Sequence, residues 1–433
     1  MTPALPTLTR FKSLDSIVTK FYWKNKTPRI KLTTLQKPKT QGGLEAPHFY
    51  HYFLANKLQN IYKWIHLNPS ESTWLDVEQS ICKEINISEL PFYSQAIKKH
   101  HCFKSPTIAT ALTAWWKFHQ ITNTPLASSK YTPIWNNPDF IVNKKPLNLR
   151  TWVDKGITQL QHILLNNNLA PFSHLVQKYG IGSNCFLEYL QIKSSIQSKI
   201  DTQRINLDLS PPISELINIT SPPKKLLSKI YKIISKSDNT LSLPNAKWES
   251  DLSIAPNAAF WTQICKNIYF MTKNTNLQLI QYKVLHRFHL TGQKLFKMGF
   301  TSETCSHCTQ NTPDTYLHAI WQRTVVKTFW ENVMDSLSNL MGCHIPLSPS
   351  LCILGDISII TLNSTNSQLL LVALTIAKKT ILMNWKSRNA IHITTWKNVL
   401  IEYISMENLS TSTQNNTSEL HPSWLSLFTF KQS

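Results

Sequence analysis

A cysteine segment near the carboxyl end contains the residue types of a zinc site. The stretch "CSHCTQNTPDTYLHAIWQR", residues 305–323, places two residues between Cys305 and Cys308, and nine between Cys308 and His318. Two thiolates at the first spacing can bind one ion, and structural zinc sites normally have four ligands. Arg323 stands where a fourth ligand would follow, and its cationic guanidinium cannot coordinate a metal.

Two structures remain open for this segment. In one, a zinc ion binds the three donors, and a nearby residue completes the set; the candidates are Cys343, His344 and His307. In the other, which the missing ligand favours, the segment is a metal-free helical hairpin. Its packing residues would be Trp321, Phe329 and Trp330. We therefore expect no cofactor, with zinc as the alternative.

The charge balance of the chain predicts a polyanionic partner. Lys and Arg total 45 against 24 acidic residues, a formal net charge of +21. An excess of this size on a folded protein indicates nucleic acid or an anionic membrane. The best membrane candidate, residues 369–377, is only nine residues long, whereas a span needs about 20. The expected partner is therefore RNA or single-stranded nucleic acid, with no membrane and no small-molecule substrate.

Two basic elements are the candidate phosphate-binding sites. Residues 17–44 contain no acid, are interrupted by prolines and predict an extended basic arm. Residues 225–236 predict a helix whose four lysines fall within an arc of roughly 60°, opposite the apolar side chains. The alternative without a binding role is that these lysines form only the solvated side of a helix. The candidate residues are Lys20, Lys24, Lys26, Arg29, Lys31, Lys37, Lys39, Lys225, Lys229, Lys232 and Lys236. Trp23 and Trp64 are the candidates for stacking on bases.

Composition and periodicity predict a mostly α, irregular multi-helical fold. Only 9 glycines occur, and leucine, isoleucine and lysine recur at helical spacings. The predicted order is a basic N-terminal arm (1–50), a helical domain (51–200), a linker (201–223), a C-terminal helical domain (224–406) with a small cysteine-bearing subdomain (305–323), and a flexible tail (407–433). The linker prediction rests on two Ser-Pro-Pro triplets.

The motifs of the common enzyme classes are missing from the sequence. It contains no Gly-x-Gly-x-x-Gly, Walker loop, His-Glu-x-x-His or Gly-x-Ser-x-Gly pattern. It also lacks an aromatic-x-Asp-Asp turn, the paired carboxylates with which a polymerase holds two metal ions. The remaining acids, Glu249, Asp251 and Asp356, are interpreted as surface residues or helix caps. We therefore expect no catalytic residue and no enzymatic activity.

Several stretches together resemble one family, the reverse-transcriptase polyprotein of long interspersed (non-LTR) retrotransposons, in its region after the polymerase. From about residue 10 to about 407 they follow the family's order: "FYWKNKTPRIKLTTLQKPKTQGGLEAPHFYHYFLANKL", "TAWWKFHQ", "PIWNNPDF", "WVDKGI", "FLEYLQIKSSI", "KKLLSKIYKII", "WESDL", "QYKVLHRFHLTGQKLFKMGF" and "CSHCTQNTPDTYLHAIWQRTVVKTFW". The resemblance implies a helical region that follows the thumb and helps to hold template RNA, without the upstream endonuclease and polymerase.

The resemblance also bears on the cysteine segment and on the origin of the chain. The family pattern ends in His-x4-Cys, which maps Cys305, Cys308 and His318 onto ligands and leaves Arg323 at the degenerate fourth position. Three functions stay open: a non-catalytic nucleic-acid-binding remnant, a decayed fragment without present function, and a helical protein-interaction scaffold. The eight scattered cysteines and the amino-terminal sequence favour an intracellular protein of the nucleus or cytoplasm, not a secreted one. The sequence gives no oligomeric state.

Overall fold

The computed structural model describes residues 6–67, 72–124, 129–166, 168–198, 209–219, 225–236, 243–308, 311–387 and 389–412. These residues form a mostly α-helical, irregular multi-helical fold, as predicted. In chain order the α-helices are α1 (Leu8–Tyr22), α2 (Leu32–Leu35), α3 (Phe49–His66), α4 (Thr73–Cys82), α5 (Pro106–Ile121), α6 (Arg150–Val153), α7 (Phe172–Tyr179), α8 (Phe186–Gln197), α9 (Pro211–Ile217), α10 (Leu226–Lys236), α11 (Asn245–Leu252), α12 (Ala258–Phe270), α13 (Thr275–Leu285), α14 (Gly292–Lys297), α15 (Thr324–Met341), α16 (Ser364–Met383) and α17 (Ile393–Ser412).

Short elements fill the connections between these helices. Two antiparallel ribbons pair β1 (Ile141–Val142) with β2 (Lys145–Pro146), and β3 (Leu164–Leu165) with β4 (Asn168–Leu169). Two π-helical turns precede α15 and α16, at His318–Gln322 and Ser350–Leu354. The 3-10 turns are Lys39–Gln41, Ile87–Phe92, Gln95–Lys99, His101–Lys104, Leu160–His162, Ser183–Cys185 and Ile357–Ile359.

The chain divides into two compact units, and each is built from two separate segments. The first unit comprises Met1–Tyr22 and Pro47–Asn239, and the second comprises Trp23–Ala46 and Thr240–Ser433. This division differs from the predicted order in two places. The predicted arm is shared between the units, and the helix that carries the lysine stripe belongs to the first unit rather than to the C-terminal one.

The first unit has a core built around α3. Leu54, Leu58 and Ile61 are buried along one face of this helix, at helical spacing. Helices α5 and α10 pack against α3, and the core gains the indoles of Trp64 and Trp115. Fully burying one such large apolar side chain is worth about 1.5–3 kcal/mol relative to exposure. This apolar burial holds α10 in place and so fixes the direction of its other face.

A second core in the first unit lies between residues 134 and 196. It centres on Trp152 and includes Phe140, Leu160 and Ile192. The Trp152 indole N–H donates a hydrogen bond to Glu188 of α8, at 2.7 Å. Helix α7 ends at Gly180, whose φ of 65° is a left-handed conformation that favours glycine. Gly180 is therefore the C-cap of α7.

The described part of the predicted linker is not a linker. Residues 209–219 contain α9, which begins with Pro211 at its first position, where a missing N–H costs nothing. Ile213 and Leu216 are buried in the core of the first unit. The Tyr62 hydroxyl donates to the carbonyl of Ile219, at 3.1 Å. The Ser-Pro-Pro triplet at 210–212 therefore starts a helix, and the remaining residues of 201–223 lie outside the described ranges.

The second unit buries α16 almost completely. Leu369, Val372 and Ile376 have no more than trace exposure, and α15 and α17 pack against this helix. The apolar run at 369–377 is therefore the centre of a helical core. The predicted tail begins at residue 407, within α17, and residues 413–433 lie outside the described ranges.

The prediction of an extended arm is also wrong. Residues 8–22 form helix α1, with Phe11 buried against the rings of Tyr50 and Phe53. After Tyr22 the chain enters the second unit, where Ile30, Leu35 and Ala46 are buried in a core with α12 and α13. Prolines and lysines indicated an extended segment, but these spaced apolar residues find partners more than 200 positions away. Burial of those residues overrides the local preference.

Candidate nucleic-acid interface and cysteine cluster

The cysteine segment brings its three predicted donors together. The Cys305 N–H donates to the carbonyl of Thr312 at 2.8 Å, which folds the segment back on itself, and His318 begins the π-helical turn. The donor atoms of Cys305, Cys308 and His318 all lie within 4.8 Å of one another. The Cys308 sulfur is 3.4 Å from Nε2 of His318. Local backbone folding therefore brings the three donor residues together.

Burial shifts the pKa values of two of these donors, Cys305 and His318. It raises the pKa of the Cys305 thiol, while the Arg323 guanidinium acts in the opposite direction. It lowers the pKa of His318, whose imidazole also responds to Asp314 and Arg323 with opposite signs. A neutral imidazole is the form that ligates metals, but a thiol must first lose its proton. Metal binding here would therefore release protons from the cysteines and become weaker as pH falls.

Arg323 contributes a different bond instead of a fourth ligand. Its Nη2 donates to Oδ1 of Asp314 at 2.8 Å, and both side chains are buried, with exposures of 5% and 9%. Its Nη1 donates to the carbonyl of Trp385 at 3.1 Å. Asp314 also accepts a hydrogen bond from the N–H of Gly292. Arg323 and Asp314 thus tie the cysteine segment to the start of α14 and the end of α16.

Three soft donors fit a zinc ion with one open position. Among the described residues the donor group contains Cys305, Cys308 and His318, and His307, Cys343 and His344 do not belong to it. A bound ion would therefore take its fourth ligand from solvent, which is less stable than a four-residue structural site. The packing of the alternative hairpin is present: Trp321 and Trp330 have ring centroids 5.9 Å apart, and Phe329 is buried beside them.

The lysine stripe has the predicted geometry. Ile230, Ile233 and Ile234 of α10 are buried, while Lys225, Lys229, Lys232 and Lys236 are all exposed. The hydroxyl oxygen of Tyr231 accepts a hydrogen bond from the backbone N–H of His48, and its ring stacks on Tyr52 at 4.1 Å. Lys236 also forms an exposed ion pair with Glu215, at 3.0 Å. The stripe therefore presents three ammonium groups without an ion-pair partner among the described residues.

The predicted arm residues belong to two different units. Lys20 is exposed on α1 in the first unit, whereas the other six are in the second. Two of those six lie over aromatic rings: the Arg29 guanidinium is 4.8 Å from the centre of Phe288, and Lys39 Nζ is 4.6 Å from that of Tyr269. Lys24, Lys26 and Lys31 are exposed, and Lys37 is half-buried.

A group of cations in the second unit was not predicted from the sequence. We call it the cationic cluster: Arg29, Lys247, Lys283, Arg287 and Lys294. Burial lowers the pKa of Lys294, and the nearby charges of Arg287, Arg29 and Lys247 lower it further. Burial, followed by Lys283, Arg29 and Lys294, lowers the pKa of His289 to about 4. The positions of four of the cations over two rings agree with this: Arg29 and Lys283 are 4.8 and 5.4 Å from the centre of Phe288, and Arg287 and Lys294 are 5.3 and 5.9 Å from that of Tyr316.

Only one member of the cationic cluster has a carboxylate partner among the described residues. Arg287 pairs with Asp251 and lies over the rings of Trp248 and Tyr316. The others form no ion pair with a described acid, so a net positive potential remains at this surface. The i, i+4 spacing of Lys283 and Arg287 was a visible sequence signal. Lys247 and Arg29 are too distant in sequence for any local pattern to include them.

The two tryptophans predicted to stack on bases lie in different environments. Trp64 has 0% exposure, and its indole N–H donates to Glu78 at 2.8 Å, so its prediction as a stacking residue is wrong. The helical spacing that buries Leu58 and Ile61 places this indole on the core side as well. Trp23 is half-buried beside the cationic cluster, with its ring stacked on Phe288 at 5.9 Å and 14°.

The acidic residues considered for catalysis have structural partners. The indole N–H of Trp261 donates to Glu249 at 2.8 Å, and Asp251 pairs with Arg287. Asp356 caps a 3-10 turn by accepting from the N–H of Ser358, as the cap interpretation predicted. Glu249 and Asp251 are neither caps nor simple surface residues, because each holds a buried partner. These bonds explain why the acids occur here.

Comparison with known protein families gives no match: no family model matches this chain. A search of its helices for membrane spans is also negative. Across the described ranges, no helix combines the length and the apolar character that crossing a bilayer requires. The geometry of the two basic surfaces and of the cysteine cluster is therefore the basis for a functional hypothesis.

Proposed function

We propose that this chain binds RNA or single-stranded nucleic acid without catalysing a reaction, as a remnant of the post-polymerase region of a non-LTR retrotransposon reverse transcriptase. The resemblance of residues 10–407 supports the origin, and the net charge of +21 supports the partner. The cysteine cluster is then a degenerate metal site. Its three donors would hold zinc only with a ligand from solvent, and its role is to shape the segment.

The observation that carries the proposal is the cationic cluster. Arg29 and Lys283 lie over the ring of Phe288, and Arg287 and Lys294 lie over that of Tyr316. The His289 ring is next to both of these rings, and burial together with the nearby cations lowers its pKa. Bringing like charges together costs free energy, and a bound polyanion relieves that cost. Each phosphate contact also releases condensed counterions, which favours association at low salt. A nucleic-acid backbone provides phosphates in a row, which matches a surface of several cations better than a single small anion does.

The lysine stripe gives the first unit a basic surface of its own. Lys229 and Lys232 lie on one face of α10, and Lys225 directly precedes the helix. The buried isoleucines on the other face hold α10 in place. A row of ammonium groups on a rigid helix positions phosphates but reads no sequence. Binding is therefore expected to be strong at low salt and nearly independent of base sequence.

The experiment is a salt titration of binding. Fluorescence anisotropy of a labelled 20-nucleotide oligo(U) measures Kd between 50 and 300 mM KCl. We expect log affinity to fall linearly with log salt, with a slope of about −0.7 for each phosphate neutralised. A salt-independent affinity, or no binding at the lowest salt, would reject the proposal.

A protein-interaction scaffold is the second candidate, because α1 has an exposed apolar face. Leu14, Ile17 and Phe21 recur at helical spacing on this helix and are all exposed. Exposed apolar groups that share a face mark interaction sites. This function predicts weak binding to oligo(U) and retention of a protein partner that Ile17→Glu abolishes. A decayed fragment without present function predicts neither activity.

A further inference from the structure

Three exposed apolar side chains lie just after Lys294 of the cationic cluster in the sequence. Phe296, Met298 and Phe300 are 50%, 58% and 74% exposed, and we call these three residues the aromatic tip. Neither phenyl ring has an aromatic or cationic partner among the described residues. Large apolar side chains grouped in this way are uncommon on a protein surface without a binding role.

The backbone of the aromatic tip is well ordered by hydrogen bonds. Helix α14 is capped by Thr291, whose hydroxyl accepts from the N–H of Lys294. At its end, the Gly299 N–H donates to the carbonyl of Phe296 at 2.8 Å, and the Phe300 N–H donates to that of Leu295 at 3.0 Å. Gly299 has a φ of 80°, which lets the chain reverse. The two rings are therefore presented from a fixed turn, which lowers the entropic cost of binding.

Phe296 of the aromatic tip and Lys294 of the cationic cluster lie on the same helix, α14. Lys294 belongs to the cluster, and it precedes Phe296 by two positions on α14. Lys297, also on α14, is exposed. Alternation of cations with exposed aromatic rings is the pattern with which proteins hold single strands, because the cations contact phosphates while the rings stack on bases. A duplex keeps its bases stacked inside, where these rings cannot reach them.

We propose that Phe296 and Phe300 stack on unpaired bases of a single strand whose phosphates lie on the cationic cluster. This inference rests on the proposed function and adds a site and a preference to it, namely single strands over duplexes. The charge near the tip favours a polyanion over an apolar protein partner, because the exposed Lys297 lies between Phe296 and Phe300 in the chain and Lys294 lies on the same helix as Phe296. An anionic membrane surface is the competing occupant, and the experiment includes it.

The test compares Phe296→Ala/Phe300→Ala with the parent protein and with a matched control. Phe186→Ala/Leu187→Ala removes two exposed apolar side chains of similar size from α8 of the first unit. Affinities for oligo(U), for a duplex RNA of the same length and for phosphatidylserine vesicles are measured at one salt concentration. Circular dichroism melting verifies that each variant is folded. Photocrosslinking to 5-bromouridine oligo(U), followed by mass spectrometry, locates the contact independently of the variants.

We expect the tip variant to bind oligo(U) at least about fivefold more weakly, because stacking on one aromatic ring contributes that much or more. Its duplex affinity and its salt slope should not change, the control should bind as the parent does, and crosslinks should map to residues 295–300. Unchanged oligo(U) affinity in a folded tip variant overturns the inference, while steep salt-dependent binding by the same variant keeps the proposed function. Loss of vesicle binding alone assigns the tip to a membrane and overturns the inference too.

Discussion

Arg323 and Asp314 form a buried ion pair, 2.8 Å between Nη2 and Oδ1, at the position where the retrotransposon resemblance implies the fourth zinc ligand. The pair links the cysteine segment to α14 and, through the Trp385 carbonyl, to the end of α16. A metal ion in a structural site also holds separate segments together, because its ligands come from each of them. We interpret the ion pair as a partial substitute for that cross-link.

Removing one partner of this pair should destabilise the second unit. Arg323→Met leaves the Asp314 carboxylate buried without its counter-charge, a change that typically costs about 3–5 kcal/mol. Urea unfolding followed by tryptophan fluorescence measures the loss. Lys236→Met breaks the exposed pair with Glu215 and serves as the control, with an expected effect of about 0–1 kcal/mol. Equal effects of the two substitutions would show that the buried pair has no special importance.

Zinc content should respond to residue 323. The parent protein, purified without added metal, is expected to contain less than stoichiometric zinc by mass spectrometry. Arg323→Cys provides a fourth thiolate and should raise zinc affinity on the order of tenfold or more. Arg323→Ser is the control, since it also removes the ion pair but adds only a weak ligand. Stoichiometric zinc in the parent, or no gain with Arg323→Cys, would contradict this prediction.

Charge removal from the cationic cluster should reduce the salt dependence of oligo(U) binding. Arg29→Gln, Lys247→Gln and Lys283→Gln together remove three phosphate contacts, so the slope of log affinity against log salt should decrease by about 2. The same substitutions at Lys225, Lys229 and Lys232 test the lysine stripe. Lys144→Gln, Lys145→Gln and Lys155→Gln remove equal charge from exposed positions elsewhere. A slope that falls equally in all three variants would indicate a general charge effect and no defined site.

Lys378 should make stability rise with pH. This lysine is completely buried in α16, its Nζ donates to the carbonyl of Cys352 at 2.9 Å, and burial lowers its pKa to about 7. The unfolded chain therefore binds one more proton than the folded chain between pH 7 and about 10.5, so unfolding becomes harder as pH rises. Urea unfolding at pH 7 and pH 9 should show this rise in the parent.

Lys378→Met should abolish the pH-dependent rise, because it removes the titrating amine while filling the same space. The adjacent Lys379→Met is the control, since this side chain is only half-buried. If both variants keep the parent's difference in free energy of unfolding between pH 7 and pH 9, the assignment to Lys378 is wrong. Any thiol or phenol that titrates in all three proteins contributes equally to their free energies of unfolding, so it does not affect the comparison with the parent.

Acid should destabilise the protein through buried histidines. Burial lowers the pKa of His51, His119, His286 and His289 to about 4. In the unfolded chain they take up protons near pH 6.5, so stability is expected to fall as pH decreases from 6.5 to 4. His286→Gln can still donate to the carbonyl of Gly42 and should make that decrease smaller. The exposed His344 is the control position, and equal pH profiles for both variants would argue against His286.

The lysine stripe shows what a local pattern can predict. The apolar and basic residues of α10 alternate with the helical period over eleven residues, and their burial follows that period. Trp64 follows Ile61 by three positions on α3 and is buried with it, so the same period argues against the predicted stacking role. Ile213 and Leu216 were missed since α9 is short and lies between proline-rich stretches.

Contacts between distant residues were beyond the reach of the sequence. Ile30 and Leu35 are buried by α12 and α13, and the local sequence of the arm does not predict these contacts. The cationic cluster collects Arg29, Lys247 and Lys294 from separate parts of the chain. The cysteine donors were predictable because their spacing is short, whereas the partner of Arg323 was not. Asp314 lies only nine residues away, but its pairing depends on the π-helical turn between the two residues.

The division of the second unit between two chain segments affects its synthesis on the ribosome. Residues 23–46 leave the exit tunnel early, yet the core that buries Ile30 and Leu35 begins at residue 243. At roughly 5–20 residues per second, this segment waits about 10–40 seconds for partners that are about 200 residues behind it. During that interval its apolar side chains are exposed to water unless a chaperone covers them. A stop codon before residue 240 would remove their core partners altogether.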